Sequence, residues 1–95
     1  MSQTPNFNQT AKTLKALAHP TRLQILATLQ ADGEHSSGAL AYVLELEPST
    51  VSKHLAVLQT AGLVTQYARG PHHFYRLTPA QLRLSALLQT IHSWA

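Results

Sequence analysis

The stretch P-S-T-V-S-K-H-L-A-V-L-Q-T-A-G-L-V at 48–64 decides the reading of this chain. Pro48 suits the first position of a helix, because its missing N–H is one that the first turn leaves unpaired anyway. Val51, Leu55 and Leu58 then recur at helical spacing, so one face turns inward. Ala61-Gly62 stops the helix, and Leu63 to Arg69 is rich in β-formers. With Val51 and Leu55 directed inward, Ser49, Thr50, Ser52 and Lys53 are left pointing out. Short hydroxyl side chains permit close approach and can donate to or accept from base edges, while a lysine reaches guanine or phosphate. Free N–H groups at the start of the helix suit a phosphate. His54 lies three residues after Val51, and the sequence leaves two readings open for it: contact with DNA, or packing inside the motif.

Working outward, Ser36 or Ser37 can cap a preceding helix carrying Leu40, Ala41, Val43 and Leu44, and Glu45-Leu46-Glu47 makes a tight connection to Pro48. Upstream, Phe7, Ala11, Leu14 and Ala18 recur on one side of a first helix over about 8–18. His19-Pro20 ends it. Pro20 opens a second helix with Leu23, Ile25, Leu26 and Leu29, which Asp32-Gly33 stops. Downstream, Gly70-Pro71 turns the chain and His73 to Leu77 returns it, with Tyr75 and Leu77 toward the core and Arg76 toward the surface. Thr78-Pro79 opens a last helix with Leu84, Leu87, Leu88, Ile91 and Trp94. The expected fold is therefore mainly α with a small β-hairpin: four helices, a hairpin and a fifth helix. Two helices joined by a short turn and followed at once by a hairpin form a winged helix-turn-helix. The helix-turn-helix covers about 37–61 and the wing about 63–77 of a single domain spanning 1–95.

Composition agrees. Ninety-five residues, 44% hydrophobic and 12% charged, make one globular domain with a modest core. The net charge of +3 is unevenly spread: all four acids (Asp32, Glu34, Glu45, Glu47) precede residue 48, and beyond it stand only Lys53, Arg69, Arg76 and Arg83. A basic half suits a polyanion. At the wing, Arg69, His72, His73 and Arg76 are the expected contacts to phosphate or the minor groove. The apolar stripes near the termini, with Phe7 and Leu14 in the first helix (about 8–18) and Leu84, Leu87, Leu88, Ile91 and Trp94 in the last (about 79–94), exceed what one small domain can cover, so a homodimer through these helices is expected. The absence of cysteine removes disulfides, thiolate metal sites and thiol switches. The N-terminus has no secretion signal and no stretch is apolar enough to span a bilayer, so a cytoplasmic protein without a membrane partner is expected. No cofactor is expected, and neither a phosphate-binding glycine loop nor an activated nucleophile suggests an enzyme.

The runs L-K-A-L-A-H-P-T-R-L-Q-I-L at 14–26, the stretch at 48–64 and F-Y-R-L-T at 74–78 together resemble the ArsR/SmtB family of bacterial repressors over nearly the whole chain. The resemblance implies a winged-helix homodimer, built through its first and last helices, that sits on a double-stranded DNA operator and leaves it when an effector arrives. It also exposes departures. Ser36 and Gly38 stand where many relatives carry a metal-binding Cys-x-Cys. The last helix offers only His92 where others pair Asp and His ligands, and the redox cysteines of sulfur-sensing relatives are missing. No metal site of family type is expected, and the effector stays open between a small molecule and a metal. His19, His35, His72 and His73, or Asp32, Glu34 and His35, would be a non-family metal site, and a protein-interaction module is the alternative outside DNA binding. Glu45 stands where relatives often place glycine, so it must accept a left-handed angle or shift the turn. Glu47 stands where a small polar residue is usual.

Overall fold

The computed structural model describes residues 6–91, with side chains as far as Ala86. Five helices and three strands follow in the order α1 (Phe7–Leu17), α2 (Pro20–Asp32), β1 (His35–Ser36), α3 (Ser37–Leu44), α4 (Pro48–Thr60), β2 (Val64–Arg69), β3 (His72–Leu77) and α5 (Pro79–Ile91).

Local chemistry sets most of these boundaries. The Asn6 side chain caps α1 by accepting from Gln9 N–H at 3.0 Å. Pro20 forces His19 into an extended conformation (φ −151°, ψ 125°), and the His19 ring nitrogen Nδ1 then accepts from Thr21 N–H at 3.1 Å as the cap of α2. Ser36 Oγ accepts from Ala39 N–H at 3.1 Å and opens α3. Thr78 serves twice: its hydroxyl donates to Gly62 C=O at 2.7 Å and accepts from Gln81 N–H at 3.3 Å, which ties the start of α5 to the end of α4.

The expected hairpin is one part of a larger sheet. β2 and β3 pair antiparallel, with Tyr67 opposite Phe74 and Thr65 opposite Arg76. β1 adds a third, two-residue strand, His35 opposite Tyr75 and Ser36 opposite Phe74, so the order is β1-β3-β2. Two residues carry no readable alternation, and only pairing with β3 makes them a strand.

The core is drawn from every layer. Ile25, Leu26 and Leu29 of α2 meet Leu40 and Ala41 of α3, Val51, Leu55 and Leu58 of α4, and Leu63 and Val64 leading into the wing; Ala16 and Leu17 close it from α1. Ile25, Leu26, Leu40, Val51, Leu55 and Leu58 have 0% exposure. Truncating any of these leucines to alanine therefore removes roughly 2–5 kcal/mol of stability. Tyr75 and Leu77 pack against the same cluster, as expected of the inner wing face.

In the last helix Leu84 packs half-buried against the core of its own chain. The inward face of α5 is Gln81, Leu84 and Ser85, and Ser85 Oγ donates to Gln30 Oε1 of α2 at 2.8 Å. A buried glutamine and serine hide that face from a reading by apolar stripes. The side chains of Leu87, Leu88, Ile91 and Trp94 lie outside the described residues.

Candidate nucleic-acid interface

The turn before α4 is made by a strained residue. Glu45 adopts the left-handed conformation (φ 56°, ψ 47°) without being glycine. Leu46 N–H then reaches back to Ala41 C=O at 2.9 Å, the bond that closes a Schellman motif. The three-residue connection 45–47 delivers Pro48 directly into α4. Unlike α1, α2 and α3, α4 receives no side-chain cap, since Glu47 forms no capping hydrogen bond. The positive end of its dipole is thus uncapped by any side chain at the surface.

Val51, Leu55 and Leu58 anchor α4 with 0% exposure, and that anchoring fixes what faces out. Ser49, Ser52 and Lys53 are exposed and Thr50 is half-buried beside them. His54 is turned the other way. Its ring lies 4.5 Å from that of His19, tilted by 55°, and its Nδ1 is 3.4 Å from an Arg22 guanidinium nitrogen. Burial first, then the neighbouring His19 and Arg22, hold the His54 imidazole below its ordinary value. It sits in the seam between α4 and the α1–α2 corner, apart from the exposed row. Arg22 is the hub of that corner, and sequence reasoning missed it. Its guanidinium donates to Ala16 C=O at 2.6 Å and to Lys15 C=O at 3.3 Å; the helix leaves the first of these open at its end, while the second also accepts from Ala18 N–H. A cation a few residues past a helix stop was the available signal.

In the wing, Gly70 takes a positive φ of 62° just before Pro71, an angle that glycine adopts without steric cost at a tight hairpin turn. Register places Arg69 opposite His72, Tyr67 opposite Phe74 and Thr65 opposite Arg76, so all six share one face. Tyr67 and Phe74 stack with centroids 5.9 Å apart. The Arg76 guanidinium lies 4.9 Å from the centre of the Tyr67 ring, and that of Arg69 lies 5.6 Å from Tyr67 and 5.5 Å from Phe74. Arg69, His72, His73 and Arg76 are all exposed; His73 occupies the opposite face.

Arg69 also has a partner the sequence did not foretell. Glu34 lies 3.4 Å from its guanidinium, brought there because β1 pairs with β3. The same carboxylate, facing the Tyr67 hydroxyl, raises that phenol above its ordinary value; desolvation adds to the rise, and Arg69 and Arg76 oppose it. The hydroxyl is enclosed without a partner at hydrogen-bonding distance, so Glu34 acts on it from farther away. The acid loop is thereby committed to the wing. His35 Nδ1 donates to Gly33 C=O at 2.7 Å. Among the described residues, no group of three or more His, Asp or Glu side chains comes together to hold a metal. No helix among them is long and apolar enough to cross a membrane.

A helix-turn-helix domain family matches residues 17–67, the span from the end of α1 into the wing. The biofilm growth-associated repressor of Agrobacterium fabrum is 39% identical over 80 residues, covering 84% of this chain and 66% of the relative. The transcriptional activator HlyU of Vibrio cholerae is 40% identical over 79 residues, covering 83% of this chain and 70% of that protein. The chain thus spans slightly under two thirds of the biofilm repressor's length. Among solved structures, the homodimeric winged helix-turn-helix DNA-binding domain of a Mycobacterium bovis protein, named a possible ArsR-family transcriptional regulator, superposes with a TM-score of 0.82 at 33% identity, covering 98% of this chain and 91% of that one. The uncapped α4, its buried anchor, the basic wing and these likenesses agree, and the chain belongs to the ArsR family of winged helix-turn-helix transcriptional regulators, a family of DNA-binding proteins and not of enzymes.

Proposed function

We propose that this protein is a homodimeric repressor that inserts α4 into the major groove of a palindromic operator and lays the wing along the flanking backbone. One observation carries the reading: Ser49, Ser52 and Lys53 stand in an exposed row on a helix whose opposite face, Val51, Leu55 and Leu58, is wholly buried. Such a helix presents its first turns to base edges while its anchor fixes the angle of entry. Ser49, Thr50 and Ser52 read bases. Lys53, Arg69, His72, His73 and Arg76 supply contacts to phosphate, and His54 holds α4 against α2.

Dimerisation is supported by Phe7 and Leu14, which are 71% and 56% exposed on one face of α1, and by the homodimeric Mycobacterium bovis relative. Two copies related by a two-fold axis would read half-sites one helical turn or a multiple apart. Relatives named both repressor and activator are similar to this chain, so the sign of regulation needs its own measurement.

Selection of bound sequences from random duplex DNA, followed by affinity titrations across salt, tests the proposal. The expected outcome is an inverted repeat and a steep loss of affinity with salt. Lys53→Ala should lower the salt slope by about 0.9 per phosphate contact removed. Ser49→Ala should lose about 1–3 kcal/mol on the selected operator and little on scrambled DNA. In vitro transcription from a promoter overlapping the operator should fall on adding protein. Failure to enrich any sequence, with salt-independent binding, would overturn the reading.

A further inference from the structure

A groove of about 580 Å³ runs between α1 and the C-terminal half of α4. Its volume falls within the range of small-molecule sites, about 300–1,000 Å³. Ala16, Val57 and Ala61 give it apolar walls, and Lys12, Lys15 and Arg22 bring three cations to it. Among the described residues no carboxylate lines it. Arg22 is already engaged with main-chain carbonyls and His54, so it contributes field more than free donors. Lys12 and Lys15 are exposed, and among the described residues neither ammonium has an ion-pair partner. Val57 is 41% exposed although it is a large apolar side chain. Helical geometry sets Lys12 and Lys15 to one side of the Phe7-Ala11-Leu14-Ala18 stripe, so the groove occupies a different face of α1 from the surface assigned to a second copy.

Apolar walls under paired cations select one chemistry. From this complementarity we infer that the groove binds an amphipathic organic anion, a carboxylate on an aromatic or short aliphatic body, and that its occupancy weakens the grip of α4 on DNA. The apolar body covers Val57 and the alanines, whose burial drives binding, while the carboxylate takes charge-assisted hydrogen bonds from Lys12 and Lys15. The groove shares α4 with the DNA-reading face: Val57 stands one turn beyond Lys53. A bound carboxylate offsets one of the two lysine charges and places its negative charge beside that helix, within roughly a Debye length of about 8–10 Å, so attraction for phosphate falls. This second half rests on the DNA-binding reading; the binding itself does not.

The test uses the full chain with 2-naphthoate and its neutral counterpart 2-naphthamide, titrated calorimetrically in the absence of DNA. Naphthoate is expected to bind saturably and at least tenfold more tightly than the amide. Lys12→Gln/Lys15→Gln should erase the preference without disturbing the fold, since both side chains are exposed. Val57→Trp, which fills the groove, should weaken both probes at least tenfold, with circular dichroism confirming that it folds. Saturating naphthoate should then lower duplex affinity at least threefold in the unaltered chain and leave Val57→Trp unchanged. Absence of saturable binding, equal binding of the two probes, or unaltered binding to Val57→Trp would overturn the site. Dissociation of the dimer by the double lysine variant would assign the groove to a second copy and overturn it equally. Unchanged duplex affinity at saturating naphthoate would overturn the link to α4. Because the first arm contains no DNA, failure of the groove and failure of DNA binding are read separately.

Discussion

Replacing Glu45 by glycine should make the protein more stable. Glu45 holds φ 56° and ψ 47° at the end of α3, where a Cβ crowds the neighbouring carbonyl at about 1–2 kcal/mol. Glycine removes that strain but widens the unfolded ensemble, which offsets about 0.4–1 kcal/mol. The net gain is about 0.5–1 kcal/mol, because the Leu46 N–H to Ala41 C=O bond of 2.9 Å survives the change. For a domain of this size each kcal/mol moves the melting temperature by about 4–8 °C, so a rise of about 2–8 °C is expected. Glu45→Ala is the control. It removes the same exposed carboxylate but keeps the Cβ, so it should change stability by less than about 0.5 kcal/mol. Thermal and urea unfolding at one fixed protein concentration supply both numbers, the fixed concentration being necessary for a chain that dimerises. A glycine variant no more stable than the alanine variant would refute the argument that the turn stores backbone strain.

Glu34→Gln should release Arg69, raising affinity for random duplex by up to about fivefold, and should bring the Tyr67 phenol back toward its ordinary titration range in ultraviolet difference spectra; no change in either would leave the wing cluster without effect. Because burial, then His19 and Arg22, hold the His54 imidazole below its ordinary value, the unfolded chain takes up the proton before the folded chain does as pH falls. Folding stability should therefore be undiminished above about pH 6.5 and decline as pH falls below it, and His54→Gln should shrink the difference in urea midpoint between pH 7.5 and 5.5. Phe7→Glu or Leu14→Glu should weaken self-association at least about a hundredfold each, the loss of one buried apolar side chain from each of the two copies, as read by sedimentation equilibrium; unaltered dimers in both would remove α1 from the interface.

The chain announced its elements wherever local chemistry sets them. Proline at 20, 48 and 79 marks the first residue of α2, α4 and α5, because a fixed φ and a missing N–H belong there whatever surrounds them. Gly33 and Gly62, at φ 83° and 77°, follow α2 and α4 for a reason equally local, the missing Cβ that lets glycine take a positive φ. The spacing of Val51, Leu55 and Leu58 settled which face of α4 is buried, and so which side chains are offered outward. Glu45 could be flagged as a conflict, though its resolution in favour of the left-handed angle came from the bond closing the turn.

What tertiary structure alone decided involves partners far apart in sequence. β1 exists because His35 and Ser36 lie beside Tyr75 and Phe74, some forty positions away, and that pairing is what brings Glu34 to Arg69. His54 could face in or out by spacing alone; the corner formed by His19 and Arg22 drew it in. Gln81 and Ser85 are polar, so periodicity would leave them in water, yet packing of α5 buries them and turns Leu84 toward its own core. Helix starts, stops and amphipathic faces are energies of neighbouring residues and can be read along the chain. Strand pairing, ion pairs and the burial of polar side chains depend on which surfaces meet, and only the folded arrangement sets that.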